Sequence, residues 1–143
     1  MEFKSNFKVY YEDTDSGGVV YYANYLKFLE RARTDAITSV NFSNKNLIEK
    51  FGIYIIVKSC NLNFHKPAKL EDNLNIISKV LEVKNVSIRM KQHIFVNDSM
   101  IVEAEILLAS VDEKGKPSKL PVEFKSQLLS LIHISEPTRL HCI

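Results

Sequence analysis

Residues 10–33 read YYEDTDSGGVVYYANYLKFLERAR, with two aspartates and two glycines directly ahead of a helical pattern. Asp13 and Asp15 in a turn at that place suit three kinds of chemistry. They could form a metal loop, a phosphoryl-transfer site, or a lone carboxylate aimed at a substrate held by the helix end. An EF-hand loop takes oxygen ligands at its fifth and twelfth positions. Counted from Asp13, those positions are Gly17 and Asn24, so two charged ligands are missing and calcium is disfavoured. An aspartyl-phosphate enzyme wants Thr or Val where Gly17 stands, after an apolar strand of a parallel sheet. Here the strand is polar and no βαβ repeat follows.

The third option needs less. Gly17 and Gly18 let the backbone approach a ligand closely. The first amides of a helix are unpaired donors with a partial positive charge. Such an end can polarise a carbonyl and hold the oxyanion formed on attack. A nearby Asp then serves as general base for water, or attacks directly to give an anhydride. The residues thus support acyl transfer to water. A competing reading, that Asp13 and Asp15 only cap a turn and a helix, fits the same pattern. A Gly-x-Ser-x-Gly elbow is absent. His65 and His93 fall in strands and His133 and His141 near the end of the chain, and all four read as surface or packing residues.

The elements that position these residues follow from hydrophobic period. Phe7 to Glu12 reads as a first strand. Tyr25, Phe28, Leu29, Ala32, Ala36 and Val40 recur at helical spacing, with Asn24 as the expected N-cap. A second helix is expected over Lys45 to Phe51, ended by Gly52. Alternation then takes over at Ile53–Ala68, Leu74–Lys84, Ser87–Val96 and Ile101–Asp112, separated by turn residues. The expectation is an α+β fold: an antiparallel meander after one long helix that lies on the apolar face of the sheet.

The chain has 143 residues, 45% apolar and 25% charged, which suits one folded domain. A formal charge of +2 with scattered basic residues gives no footprint for nucleic acid. Cys60 and Cys142 make neither a disulfide framework nor a metal knuckle, and fit a reducing compartment. The start, MEFKSNFKVYYED, has no apolar signal segment, and no run approaches the roughly 20 residues of a membrane span. A cytoplasmic protein without metal or cofactor is expected.

The first block resembles the signature of the YbgC branch of the 4-hydroxybenzoyl-CoA thioesterase family. NFHKPAKLEDNL (Asn63 to Leu74) and DEKGKPSKLP (Asp112 to Pro121) resemble it in the expected order, so that the likeness runs over about residues 5–125. The resemblance implies a hotdog fold, in which a five-stranded antiparallel sheet wraps a long helix. It also implies an acyl-CoA thioesterase working as a homodimer or homotetramer, with sites between subunits. The family's catalytic aspartate falls on Asp15, leaving Asp13 structural, and its helix-end donor falls at Tyr22 and Ala23. Many YbgC relatives carry His where this chain has Tyr22, whereas the hydroxybenzoyl-CoA branch carries Tyr. Gly17, Gly18, Tyr22 and Ala23 are the expected substrate contacts, with Arg89 and Lys91 for a CoA phosphate. The competing class is a hotdog module that docks acyl-carrier protein or lipid-synthesis enzymes without turnover. Asp15, which pure binding would not need, separates the two.

The end of the chain departs from the family. SLIHISEPTRLHCI (Ser130 to Ile143) has Pro137, a free cysteine one residue from the end, no sustained period and none of the charged helix expected to close the fold. We therefore expect a single domain over residues 1–127. Residues 128–143 read as an atypical tail, foreign or frame-shifted, and mobile or loosely packed.

Overall fold

The computed structural model describes residues 2–141, with side chains through residue 130 and at residue 132. In chain order they form β1 (Glu2–Lys8), a 3-10 turn (Tyr11–Asp13), α1 (Tyr22–Ser39), α2 (Asn44–Phe51), β2 (Tyr54–Phe64), β3 (Asn73–Val83), β4 (Ser87–Val96), β5 (Ser99–Val111) and α3 (Val122–His141). The strands make one antiparallel sheet in the order β1-β3-β4-β5-β2. This is the five-stranded α+β architecture of the hotdog fold.

The apolar stripe of α1 does what its spacing demands. Tyr25, Phe28, Leu29, Ala32 and Ala36 are buried, and Val40 joins them at the helix end. All of these except Ala36 share one core with Ile76, Ile94, Val102, Ala104 and Ile106 on the sheet. For α2, the Ser43 hydroxyl accepts from the Asn46 amide at 2.9 Å, and Gly52 ends the helix in the left-handed region at φ 64°.

Three expectations need correction. The first strand lies earlier than Phe7–Glu12. The Asp13 carboxylate accepts from the Tyr10 amide at 2.9 Å, and this local bond coils the backbone there into the 3-10 turn. The helix starts at Tyr22, with Tyr21 in the N-cap place, because Asn24 spends its side chain elsewhere: Nδ2 donates to the Asp13 carbonyl at 2.8 Å. Only β3, β4 and β5 form a meander. β2 lies at the far edge beside β5, and residues 65–72 cross to β3 past the start of α1. α3 carries Phe124 and Leu128 into the same core. Most side chains of the expected tail lie outside the described residues.

One polar side chain is built into the core. Gln92 on β4 is fully buried between α1 and the sheet. Its Nε2 donates to the Leu29 carbonyl at 3.1 Å and the Ser78 hydroxyl at 2.9 Å, while its Oε1 accepts from Arg33 at 3.1 Å. On the outer face of the same strand, burial holds His93 below the usual imidazole range. Glu103, 3.7 Å away, and Glu2 oppose that shift, and Lys91 and Lys79 add to it. The unfolded chain therefore binds a proton near pH 6.5 more readily than the folded one. The contribution of His93 to stability is complete above that pH and is lost as the pH falls below it. His93→Gln is expected to shrink the drop in Tm between about pH 7.5 and 5.5, read by thermal melts; an unchanged drop would remove His93 as its source.

The two sheet edges differ. β1 carries Glu2, Lys4 and Lys8. β2 exposes Tyr54, Ile56, Val57 and Phe64.

Candidate active site

The turn after the 3-10 segment is shaped by its two acids. Asp13 holds structure: its carboxylate takes the Tyr10 amide, and its carbonyl accepts from the Tyr21 amide at 3.2 Å as well as from Asn24. It ties the turn to the first residues of α1. Asp15 is exposed and is held by one oxygen only. Its Oδ1 accepts from the Gly17 amide at 2.8 Å and the Val19 amide at 3.4 Å, and no described residue bonds to Oδ2. The carboxylate is thus oriented with one oxygen free.

Both glycines suit this geometry. A Cβ at Gly17 would sit 3.3 Å from Asp15 Oδ1, crowding the oxygen that the Gly17 amide binds. Gly18 has φ 78°, which costs other L-residues strain. The turn is then laced to the crossing segment by backbone alone. The Val20 amide donates to the Ala68 carbonyl at 2.8 Å, the Leu70 amide to the Gly18 carbonyl at 3.1 Å, and Val19 bridges Lys69.

Asp15, Val19, Val20, Tyr21, Tyr22 and Tyr25 line one side of a cleft of about 380 Å³, and Phe64, His65, Lys66 and Pro67 line the other. The amides of Tyr22 and Ala23, the first two of α1, have no partner among the described residues. An oriented carboxylate therefore shares a cleft with an uncapped helix end, where partial positive charge accumulates. Deeper in, the Tyr25 hydroxyl accepts from the buried Ala68 amide at 3.0 Å, and burial pushes its ionisation above the ordinary phenol range. Tyr25 is a neutral structural post.

Of the expected site residues, Asp15 and Tyr22 line the cleft, Gly17 and Gly18 lie in the turn that holds Asp15, and Ala23 follows Tyr22 in α1. The structure does not bring Arg89 or Lys91 to them. Both point to the outer face of β4, where Arg89 lies 4.0 Å from Glu82, and Lys91 borders a separate depression with Glu103 and Glu105. Alternation along Ile88, Met90, Gln92 and Ile94, all buried, sends the residues between them outward. Residue-by-residue reading missed Phe64, Lys66 and Pro67 as cleft residues. They lie within the NFHKPA stretch, but nothing local says that this segment crosses the start of α1. Among the described residues no three His, Cys, Asp or Glu side chains gather as a metal site, and no helix is long and apolar enough to cross a membrane.

The sequence profile of the Thioesterase superfamily matches residues 17–103. The acyl-CoA thioesterase YbgC of Haemophilus influenzae is 42% identical over 120 residues, covering 83% of this chain and 88% of that protein. The acyl-CoA thioester hydrolase YbgC of Escherichia coli is 37% identical over 129 residues, covering 86% of this chain and 96% of the other. The crystal structure of a probable thioesterase from Bartonella henselae superposes with a TM-score of 0.82 at 32% identity, over 85% of this chain and 100% of that one. By its profile match and these identities, the chain belongs to the thioesterase superfamily.

Proposed function

We propose that this chain hydrolyses acyl-CoA thioesters to the free acid and CoA. The observation that carries the reading is one cleft lined both by Asp15, oriented through a single oxygen, and by Tyr22, the first residue of an α1 whose first two amides are free among the described residues. The YbgC relatives, named as acyl-CoA thioesterases, support the substrate class.

In this reading the thioester carbonyl oxygen meets the helix end, and its charge grows there as the tetrahedral species forms. Preorganised donors of this kind are worth about 3–4 kcal/mol when they serve the oxyanion. Asp15 either takes a proton from the attacking water or attacks the carbonyl carbon itself, giving an anhydride that water then opens. Collapse expels the CoA thiolate in both cases. Gly17 and Gly18 keep the approach clear. Lys66, at the rim, is placed for the phosphates of CoA. Arg89 and Lys91 serve that role only for a substrate held by another subunit. Such a substrate places the work in the cytoplasm, and acyl-carrier protein presents the same pantetheine thioester. The test is thiol release from a panel of acyl-CoAs. Turnover of at least one supports the reading, whereas binding without release would favour the non-catalytic module.

The same reading includes a dimer or larger assembly. β2 is an open edge with exposed apolar side chains, a template for another strand, while the charges on β1 blunt the opposite edge. Sedimentation is expected to show no stable monomer at assay concentration. The double change Ile56→Lys with Val57→Lys, at exposed positions, should shift the protein toward monomer. A fully active monomeric wild type would contradict a shared site.

A further inference from the structure

Asn24 is the third residue of α1, a place where Ala or Glu would suit the helix better. Its side chain caps none of the free amides of its own helix. Instead Nδ2 reaches back to the Asp13 carbonyl at 2.8 Å. A carbonyl can be served only by the N–H end of a side-chain amide, so asparagine suits this bond and aspartate does not. The same carbonyl takes the Tyr21 amide, at a longer 3.2 Å.

The turn that holds Asp15 is closed on itself. The Asp15 amide donates to the Val19 carbonyl at 2.9 Å, the Gly18 amide donates to the Asp15 carbonyl at 3.1 Å, and Thr14 bridges Val20. Those bonds set the shape of the turn but not its tilt against the helix. Among the described residues, Asn24 makes the one side-chain hydrogen bond from α1 to the arm that leads into Asp15. Tyr25, next along, holds the crossing segment instead, through the Ala68 amide.

We propose that Asn24 is a positioning residue for the reaction: by tying the Asp13 carbonyl to the first turn of α1, it sets where the Asp15 carboxylate stands against the free amides of Tyr22 and Ala23. The inference rests on the thioesterase reading above and adds to it a residue that does not line the cleft. In that reading the carboxylate and the helix amides act on one carbonyl group, so their separation is part of the reacting geometry. A misplacement of about 1 Å can cost roughly a hundredfold in rate. The fold has less at stake, because Ala suits the helix and the Asp13 carbonyl keeps the Tyr21 amide.

The experiment is a double-mutant cycle on Asn24→Ala and Asp15→Asn. It is read as single-turnover rate constants, with enzyme in excess over an acyl-CoA that the wild type hydrolyses, beside steady-state KM and Tm. Asn24→Ala should lower the rate by about tenfold or more, with KM within about threefold and Tm within a few degrees of wild type. In the Asp15→Asn background the same change should cost less than about threefold, because the group it positions is gone. An equal loss in both backgrounds would overturn the inference, as would a near wild-type rate or a loss confined to KM. Should Asn24→Ala fail to fold, Asn24→Ser, too short to reach Asp13, takes its place in the cycle. A wild type inert toward every acyl-CoA would instead remove the thioesterase reading, and the inference with it.

Discussion

Asp15→Asn is expected to lower kcat/KM for thioester hydrolysis by about a hundredfold or more while leaving Tm within a few degrees of wild type. The amide keeps the shape of the carboxylate and an acceptor oxygen for the Gly17 and Val19 amides, so the turn retains its bonds. What it loses is the basic or nucleophilic oxygen, the Oδ2 that no described residue engages. Asp13→Asn should show the opposite balance, because Asp13 spends its carboxylate on the Tyr10 amide and not on the cleft. Its cost should be read mainly in Tm. Tyr22→Phe should keep most turnover, since in this reading the position contributes a backbone amide and a ring. Thiol-release kinetics beside thermal melts measure all three variants. Near wild-type turnover in Asp15→Asn would end the assignment of that residue, and a dead Tyr22→Phe would make the phenol a participant.

The largest effect on stability is expected at Gln92. Gln92→Ala removes a fully buried side chain, leaves a cavity under α1, and strands the Ser78 hydroxyl and the Arg33 guanidinium. Arg33 is already desolvated, which lowers its ionisation from the usual range, so losing its acceptor is costly. Cavity and orphaned groups together should cost roughly 3–5 kcal/mol in urea unfolding. Gln92→Leu refills most of the volume but leaves the same polar groups unpaired, and should cost less. Adding Ser78→Ala to Gln92→Leu removes one orphan and should recover part of the loss. If the double variant is less stable than the sum of the singles, the hydrogen-bond network is not the source of the cost.

How far these features could be read without coordinates depended on the range of the interaction. α1 was legible because Tyr25, Phe28, Leu29, Ala32 and Ala36 repeat at a period that only one helical face satisfies. The loop chemistry was legible because Asp15 and its glycines bond within four residues of one another. β1 was misplaced because FKVYYE alternates well enough for a strand, yet the Asp13 carboxylate captures the Tyr10 amide and coils the backbone. The position of β2 at the far edge, and with it Phe64 and Lys66 in the cleft, depends on pairing with β5, from Phe64 with Val102 to Tyr54 with Val111, far apart in sequence. Alternation fixes which face a residue takes, not which strand lies beside it. It puts Gln92 on the core face of β4 but cannot name Leu29, Ser78 and Arg33 as its partners.

The lacing of the Asp15 turn has an evolutionary consequence. Val20 to Ala68, Leu70 to Gly18 and the Val19–Lys69 bridge are all main-chain bonds, indifferent to the side chains that carry them. The geometry that holds Asp15 is therefore encoded in peptide groups and two glycines, while the shape of the cleft is encoded in replaceable side chains such as Tyr22, Phe64 and Lys66. In the proposed reading, substitutions at these positions can redirect the scaffold to another substrate without re-deriving its chemistry. Divergence of substrate within such a lineage should accumulate at Tyr22 and at the end of β2, and leave the Asp15–Gly18 turn alone.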